Sequence, residues 1–277
     1  MNRRTRTALG AAAALSLPAA LLIAATPAQA AEDATVSVLH GIPAGNGADV
    51  VDIYAGDAEL LADVEPGDLA TLEVPAGSYD LAVYADGDAP GSGDPLLSAD
   101  GVEVPAGANA TVTANLDADG APTLNVFVND TASVAAGEAR LVVRHVAAAP
   151  AVDVRANGDV LFSDLTNPNE ATADVPAASY EADVVLAGTD TVAIGPATVD
   201  LAEGTSTIVY AWGSAEAGDL ALAVQTIDGL GSAPAGVPAG DGSLAGGSSG
   251  VPAWTLALMA LAAIGVVGAG ARLAVRA

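Results

Sequence analysis

Few residues in this chain could carry chemistry. His40 and His145 are its only histidines, cysteine and lysine are absent, and eight arginines stand against 34 acids. In "VRHVAAAPAVDVRANG" (Val143–Gly158), His145 precedes Asp153 by eight residues, while His40 precedes Asp52 by twelve. A histidine near a carboxylate could act as an oriented general base, but nucleophilic catalysis also needs a hydroxyl held against that base. Serines are scattered and no G-x-S-x-G elbow occurs. Zinc needs three or four nitrogen or sulfur ligands in one place, which two distant histidines without a cysteine do not supply. Calcium is the remaining option. Asp117 and Asp119 in "NLDADGAP", and Asp86 and Asp88 in "YADGDAPGSGD", place oxygen ligands around glycines, the chemistry that hard cations prefer. Neither stretch has the twelve-residue loop or its closing glutamate, so the simpler expectation is an Asp-Gly turn on an acidic surface. No catalytic residue, cofactor or other metal is expected.

The elements that would position these residues occur twice. "VPAGSYDLAVYADG" (Val74–Gly87) answers "VPAASYEADVVLAG" (Val175–Gly188), and Asp52 pairs with Asp153, Pro75 with Pro176 and Tyr79 with Tyr180 at a constant offset of 101. A fixed offset over such a distance marks an internal repeat. Within each copy apolar residues alternate with acids, as in Tyr79, Leu81 and Val83 against Asp80, which is the period of a half-buried strand. Tight-turn pairs such as Asn157-Gly158 and Asp119-Gly120 fall between the strands and suit hairpins. Seven or eight strands per copy are expected, so the fold class is all-β: two tandem antiparallel β-sandwiches of Ig-like type, over residues 34–134 and 138–230.

Strand phase then assigns the site residues. His40 continues the phase of Val36 and Val38, and His145 that of Leu141 and Val143. Each ring should face the core or its rim, hydrogen-bonded to a backbone carbonyl of the following loop. Asp52 and Asp153 lie in the opposite phase and should face solvent, or pair locally, Asp153 with Arg155 or with Arg144.

The string Val143, Arg144, His145, a short loop, Pro150 to Val154, the Asn157-Gly158 turn and then Val175 to Tyr180 resembles the bacterial extracellular family DUF4397, a domain of unknown function. The first copy departs from the pattern: Leu39 replaces the arginine, and the loop "GIPAGNGAD" is longer by four residues. The resemblance implies an exported, often tandem, sandwich-like surface module and supplies no reaction. His40, Asp52, Tyr79, His145, Asp153 and Tyr180 are its repeat signature.

Both ends read as targeting. Arg3, Arg4 and Arg6, an apolar run and then Ala28-Gln29-Ala30 form the pattern of a secretory signal peptide over residues 1–30, cleaved after Ala30. Val251 to Ala271 holds no charge and as a helix would span about 31 Å, close to the hydrocarbon core of a bilayer. Arg272 and Arg276 follow, so residues 272–277 should stay cytoplasmic and the acidic middle should lie outside. Residues 229–250, rich in Gly, Ser, Pro and Ala, should be a flexible spacer. Cell-wall attachment is the alternative to a single-pass membrane anchor, but no LPxTG-type motif precedes the run.

Outside the termini only Arg140, Arg144 and Arg155 oppose the acids. Such a surface repels phosphate backbones, which excludes nucleic acid as a partner. The expectation is a membrane-anchored, non-catalytic extracellular protein whose partner is a cell-wall polymer, a glycan or a protein. An extracellular hydrolase and a calcium-stabilised adhesin or stalk are the alternatives.

Overall fold

The computed structural model describes residues 32–231, and every regular element among them is a β-strand. The first eight are β1 (Ala34–Gly41), β2 (Val51–Ala55), β3 (Ala58–Val64), β4 (Leu69–Val74), β5 (Gly77–Ala85), β6 (Leu97–Val104), β7 (Asn109–Leu116) and β8 (Pro122–Val128). The second eight are β9 (Glu138–His145), β10 (Val152–Ala156), β11 (Asp159–Leu165), β12 (Glu170–Pro176), β13 (Ser179–Leu186), β14 (Val192–Asp200), β15 (Ser206–Trp212) and β16 (Ala221–Ile227). The expected signal peptide with its cleavage at Ala30, the membrane helix, the cytoplasmic tail and nearly all of the spacer lie outside the described residues. Among the described residues no helix is long and apolar enough to cross a membrane.

Each repeat builds two four-stranded sheets, β4-β1-β7-β8 over β3-β2-β5-β6, and β12-β9-β15-β16 over β11-β10-β13-β14. Alternation explains the pairing of faces. In the first repeat Val36 and Val38 of β1, Val51 and Ile53 of β2, Val83 of β5 and Val112 of β7 meet in one core. Leu141, Val143, Val152, Val154, Val184 and Val209 do the same in the second. The Asn157-Gly158 hairpin forms as its residues require, with both φ angles positive, 53° and 90°.

The sheets are not purely antiparallel as the sequence suggested. β1 runs parallel to β7, and β9 parallel to β15. The long crossover through the opposite sheet returns the chain to the same end before β7 and β15 begin, and parallel pairing needs such a connection. Nor are the repeats separate beads, since residues 32–231 belong to one compact unit. The outer faces of β9 and β15 present Val142, Ile208 and Tyr210 to Leu39 of β1, forming a third apolar layer with Val146 and Ala223. The result is four stacked sheets with three thin cores of mainly small aliphatic side chains.

Candidate functional site

His40 is the penultimate residue of β1 and His145 the last of β9, and both are fully buried. His40 Nε2 lies 2.8 Å from the Ala48 carbonyl, and His145 Nε2 lies 3.0 Å from the Pro150 carbonyl, so each ring donates to the loop that follows its strand. His145 Nδ1 accepts the Ala147 N–H, while His40 Nδ1 is buried without a partner among the described residues. Burial pushes both imidazoles below their ordinary value, most strongly through lost hydration of the charged form. A neutral ring whose one N–H is committed to the backbone holds a loop. Among the described residues neither ring is hydrogen-bonded to a hydroxyl.

The aspartates differ from the expectation. Asp52 and Asp153 do lie opposite the core phase, but they are only 7% and 8% exposed, and neither pairs with an arginine. Asp52 accepts the N–H groups of Asp63 (2.9 Å) and Gly87 (3.1 Å), and Asp153 those of Asp164 (2.8 Å) and Gly188 (2.9 Å). The two backbone donors hold the Asp153 carboxyl below the usual carboxylate range. Asp63 and Asp164 both sit at φ 54°, so each carboxylate fastens a bulged strand to a turn across its own sheet. Alternation told the face correctly but could not show that loops fold back over it. Tyr79 and Tyr180 also repeat one role, donating to the Pro75 and Pro176 carbonyls at 2.5 and 2.8 Å and pinning the turn between sheets.

The arginines named as partners of Asp153 are engaged elsewhere. Arg155 meets Asp183 and Asp190. Arg144, at 1% exposure, reaches across the seam between the repeats. It donates at 2.8 Å to Glu170 Oε2, to the Tyr210 hydroxyl and to Asn129 Oδ1, with its guanidinium 4.4 Å from the Phe127 ring centroid. Tyr210 donates to Gln225 Oε1 at 2.6 Å, Thr111 donates to the same oxygen at 3.0 Å, and Gln225 Nε2 donates to Ser37 at 2.9 Å. Burial pushes the Tyr210 phenol up. Arg140, on the same face of β9, ties Asp174 to the connector at Asp130 and Ala132. Sequence reasoning missed this seam. Its one visible signal was Arg140, Val142 and Arg144 at alternate positions opposite the core phase, where two of the three arginines outside the termini fall.

The calcium candidates separate. Asp117 Oδ1 accepts the N–H groups of Asp119 and Ala121, closing the turn between β7 and β8. Asp86 joins Asp52 and Asp63, with one carboxylate oxygen of each within 4.8 Å of the others. Asp88 and Asp119 belong to no such group among the described residues. In the second repeat the matching positions are Asp153, Asp164 and Ala187, so the third carboxylate is missing there. A cation held by the trio would have to share the Asp52 oxygens with two N–H donors.

An open cleft of about 570 Å³ lies at the seam where β7 and β9 end. It is lined by Ala118 of the first repeat and by Ala148–Ala151, Thr166, Asn167, Ala215 and Glu216 of the second. Asn167 closes its floor by donating to the Leu116 carbonyl of the first repeat and the Ala147 carbonyl of the second. Inside the sandwiches, smaller apolar cavities of about 80 and 50 Å³ lie in the first and second repeats.

Fold and site together define a duplicated all-β module in which histidine, aspartate and tyrosine hold matching loops and arginine joins the copies. Residues 34–155 match the model of the family described as Domain of unknown function (DUF4397), so the chain is similar to that family over this segment. The match covers the first repeat and runs through β9 into β10. No curated protein matches the chain.

Proposed function

We propose that this chain is a membrane-anchored extracellular protein without catalytic activity, whose paired sandwiches display a binding surface to a cell-wall polymer, a glycan or a protein. One observation carries the reading: the chain enters and leaves the module at one end, and the cleft lies at the other. At the first end, the Glu32 carbonyl meets Gly107 N–H, and Leu230 returns to Gly204 and Val134 beside the start of β9. At the opposite end Asn167 bridges the two repeats below the cleft. Attachment through Gly231 leaves the cleft at the end of the module away from the exit of the chain. The uncompensated acids favour a neutral or cationic partner.

The test is a screen of glycans, wall polymers and surface proteins against the full-length protein in detergent micelles, repeated with Ala149→Trp, which fills the cleft. The reading expects a ligand that Ala149→Trp releases while the melting temperature stays put. Binding unaffected by the tryptophan would refute the cleft as the display surface. Intact cells provide the second arm: added protease should remove residues 32–231, and protection of that region would refute the outward topology.

A further inference from the structure

Each of the four sheets has two edge strands, and the acids are distributed among them unevenly. β3 carries Glu59 and Asp63, β4 Glu73, β6 Asp100 and Glu103, β11 Asp159 and Asp164, β12 Glu170 and Asp174, and β14 Asp200. β8 (PTLNVFV) and β16 (ALAVQTI) carry no charge at all. They are the equivalent strands of the two repeats, each pairing on one side only, with β7 and with β15. Edge strands in soluble proteins are guarded by charge, bulges or proline because their free N–H and C=O groups template further pairing. Here the only proline is Pro122, the first residue of β8, and no bulge interrupts either ladder.

The same two strands expose apolar side chains on the core phase. Val126 is 46% and Val128 72% exposed on β8, and Leu222 is 36% and Val224 54% exposed on β16. Their other faces already serve an interface, since Phe127 and Ile227 pack into the layer between the repeats.

We propose that β8, and β16 in the same way, adds edge to edge to the uncharged edge strand of a second copy of this chain, extending the sheet across the two molecules. The choice of a second copy follows from charge. A like-charged molecule meets least repulsion at an edge strand that carries no carboxylate of its own, and among the described residues β8 and β16 alone are such edge strands, with Glu103 of β6 the acid that lines the same groove as Val126 and Val128. The apolar side chains gain cover in the same step. Repulsion between the remaining acids opposes association, so salt strengthens it by screening. A basic partner would show the opposite dependence.

The absence of cysteine makes the test direct. Val126→Cys and Val224→Cys are placed singly in the full-length protein in detergent micelles and treated with a short bismaleimide. Ser163→Cys, on the acid-bearing edge β11, is the control for chance encounter. The expected dimer yield is about tenfold above the control, the ratio that ~1.4 kcal/mol of pairing confers. It should rise with salt and return to the control level when Val128→Lys is added to Val126→Cys. Yields equal to that of Ser163→Cys, indifference to Val128→Lys, or a yield that falls with salt would each overturn the proposal. The last outcome would assign the edge to a basic partner. The test does not depend on where the protein resides in the cell.

Discussion

Replacing Arg144 by alanine tests whether the seam makes two sandwiches into one folding unit. The change removes three hydrogen bonds from a buried cation, to Glu170, Tyr210 and Asn129, and the planar contact with Phe127. Glu170 has a side chain 39% exposed and can rehydrate, and Tyr210 keeps Gln225, but Asn129 Oδ1 loses its donor, since the Thr111 hydroxyl already donates to Gln225. Because the surviving carboxylate rehydrates, the cost is that of one buried acceptor left unpaired, about 1–3 kcal/mol. For a unit of this size each kcal/mol moves the melting temperature by about 2–4 °C, so the midpoint should fall by roughly 2–12 °C. Arg144→Leu, the residue type at Leu39 in the first repeat, should cost less because it keeps apolar contact in the seam. Calorimetry on the full-length protein in detergent micelles should show one transition for residues 32–231, because the third apolar layer belongs to both repeats. Two resolved transitions, or an Arg144→Ala cost below about 1 kcal/mol, would refute the seam as a structural weld.

Three further predictions follow from the loops and the acids. His40 and His145 are held below the ordinary histidine value of 6.5 by burial, so the unfolded chain binds more protons. Stability should be complete above that value and fall as pH drops below it, by at most about 1.4 kcal/mol per pH unit for each ring. Urea titrations at a series of pH values check the sign, and a protein more stable at pH 5 than at pH 7.5 contradicts it. Asp52→Asn and Asp153→Asn each keep one acceptor oxygen for two backbone donors, so both should lower the melting temperature by similar amounts. A loss in only one variant would break the equivalence of the repeats. For calcium, a specific site at Asp52, Asp63 and Asp86 requires the midpoint to fall with chelator at constant ionic strength, and Asp63→Asn to abolish that fall. If Asp63→Asn instead raises the midpoint with or without calcium, the trio is only a point of like-charge repulsion.

Much of the fold was legible because strands and turns are local codes. The repeat offset, the period-two alternation and the Asn157-Gly158 hairpin led to two sandwiches of seven or eight strands, of which the structure has eight in each, and alternation placed both histidines on their core phases. The same rule failed at Asp52 and Asp153 for a definite reason. Phase says which side of a sheet a residue faces, not whether a bulge at Asp63 or Asp164 and a turn at Gly87 or Gly188 will close over that side. Nor could phase find the parallel pairs, since direction depends on how the chain crosses between sheets.

The amino-acid order by itself determined the strand pattern, the duplication and the net negative charge, because each is a property of neighbouring residues or of their sum. Only the tertiary structure decided which outer faces stay outer. Sheets β4-β1-β7-β8 and β12-β9-β15-β16 bury theirs against each other, turning Arg144, Tyr210 and Gln225 from surface residues into a shared interior. The physical reason is that burial is set by the partner surface. A half-apolar strand face with two arginines can be solvated or covered, and the sequence of one repeat does not say that the other repeat will cover it.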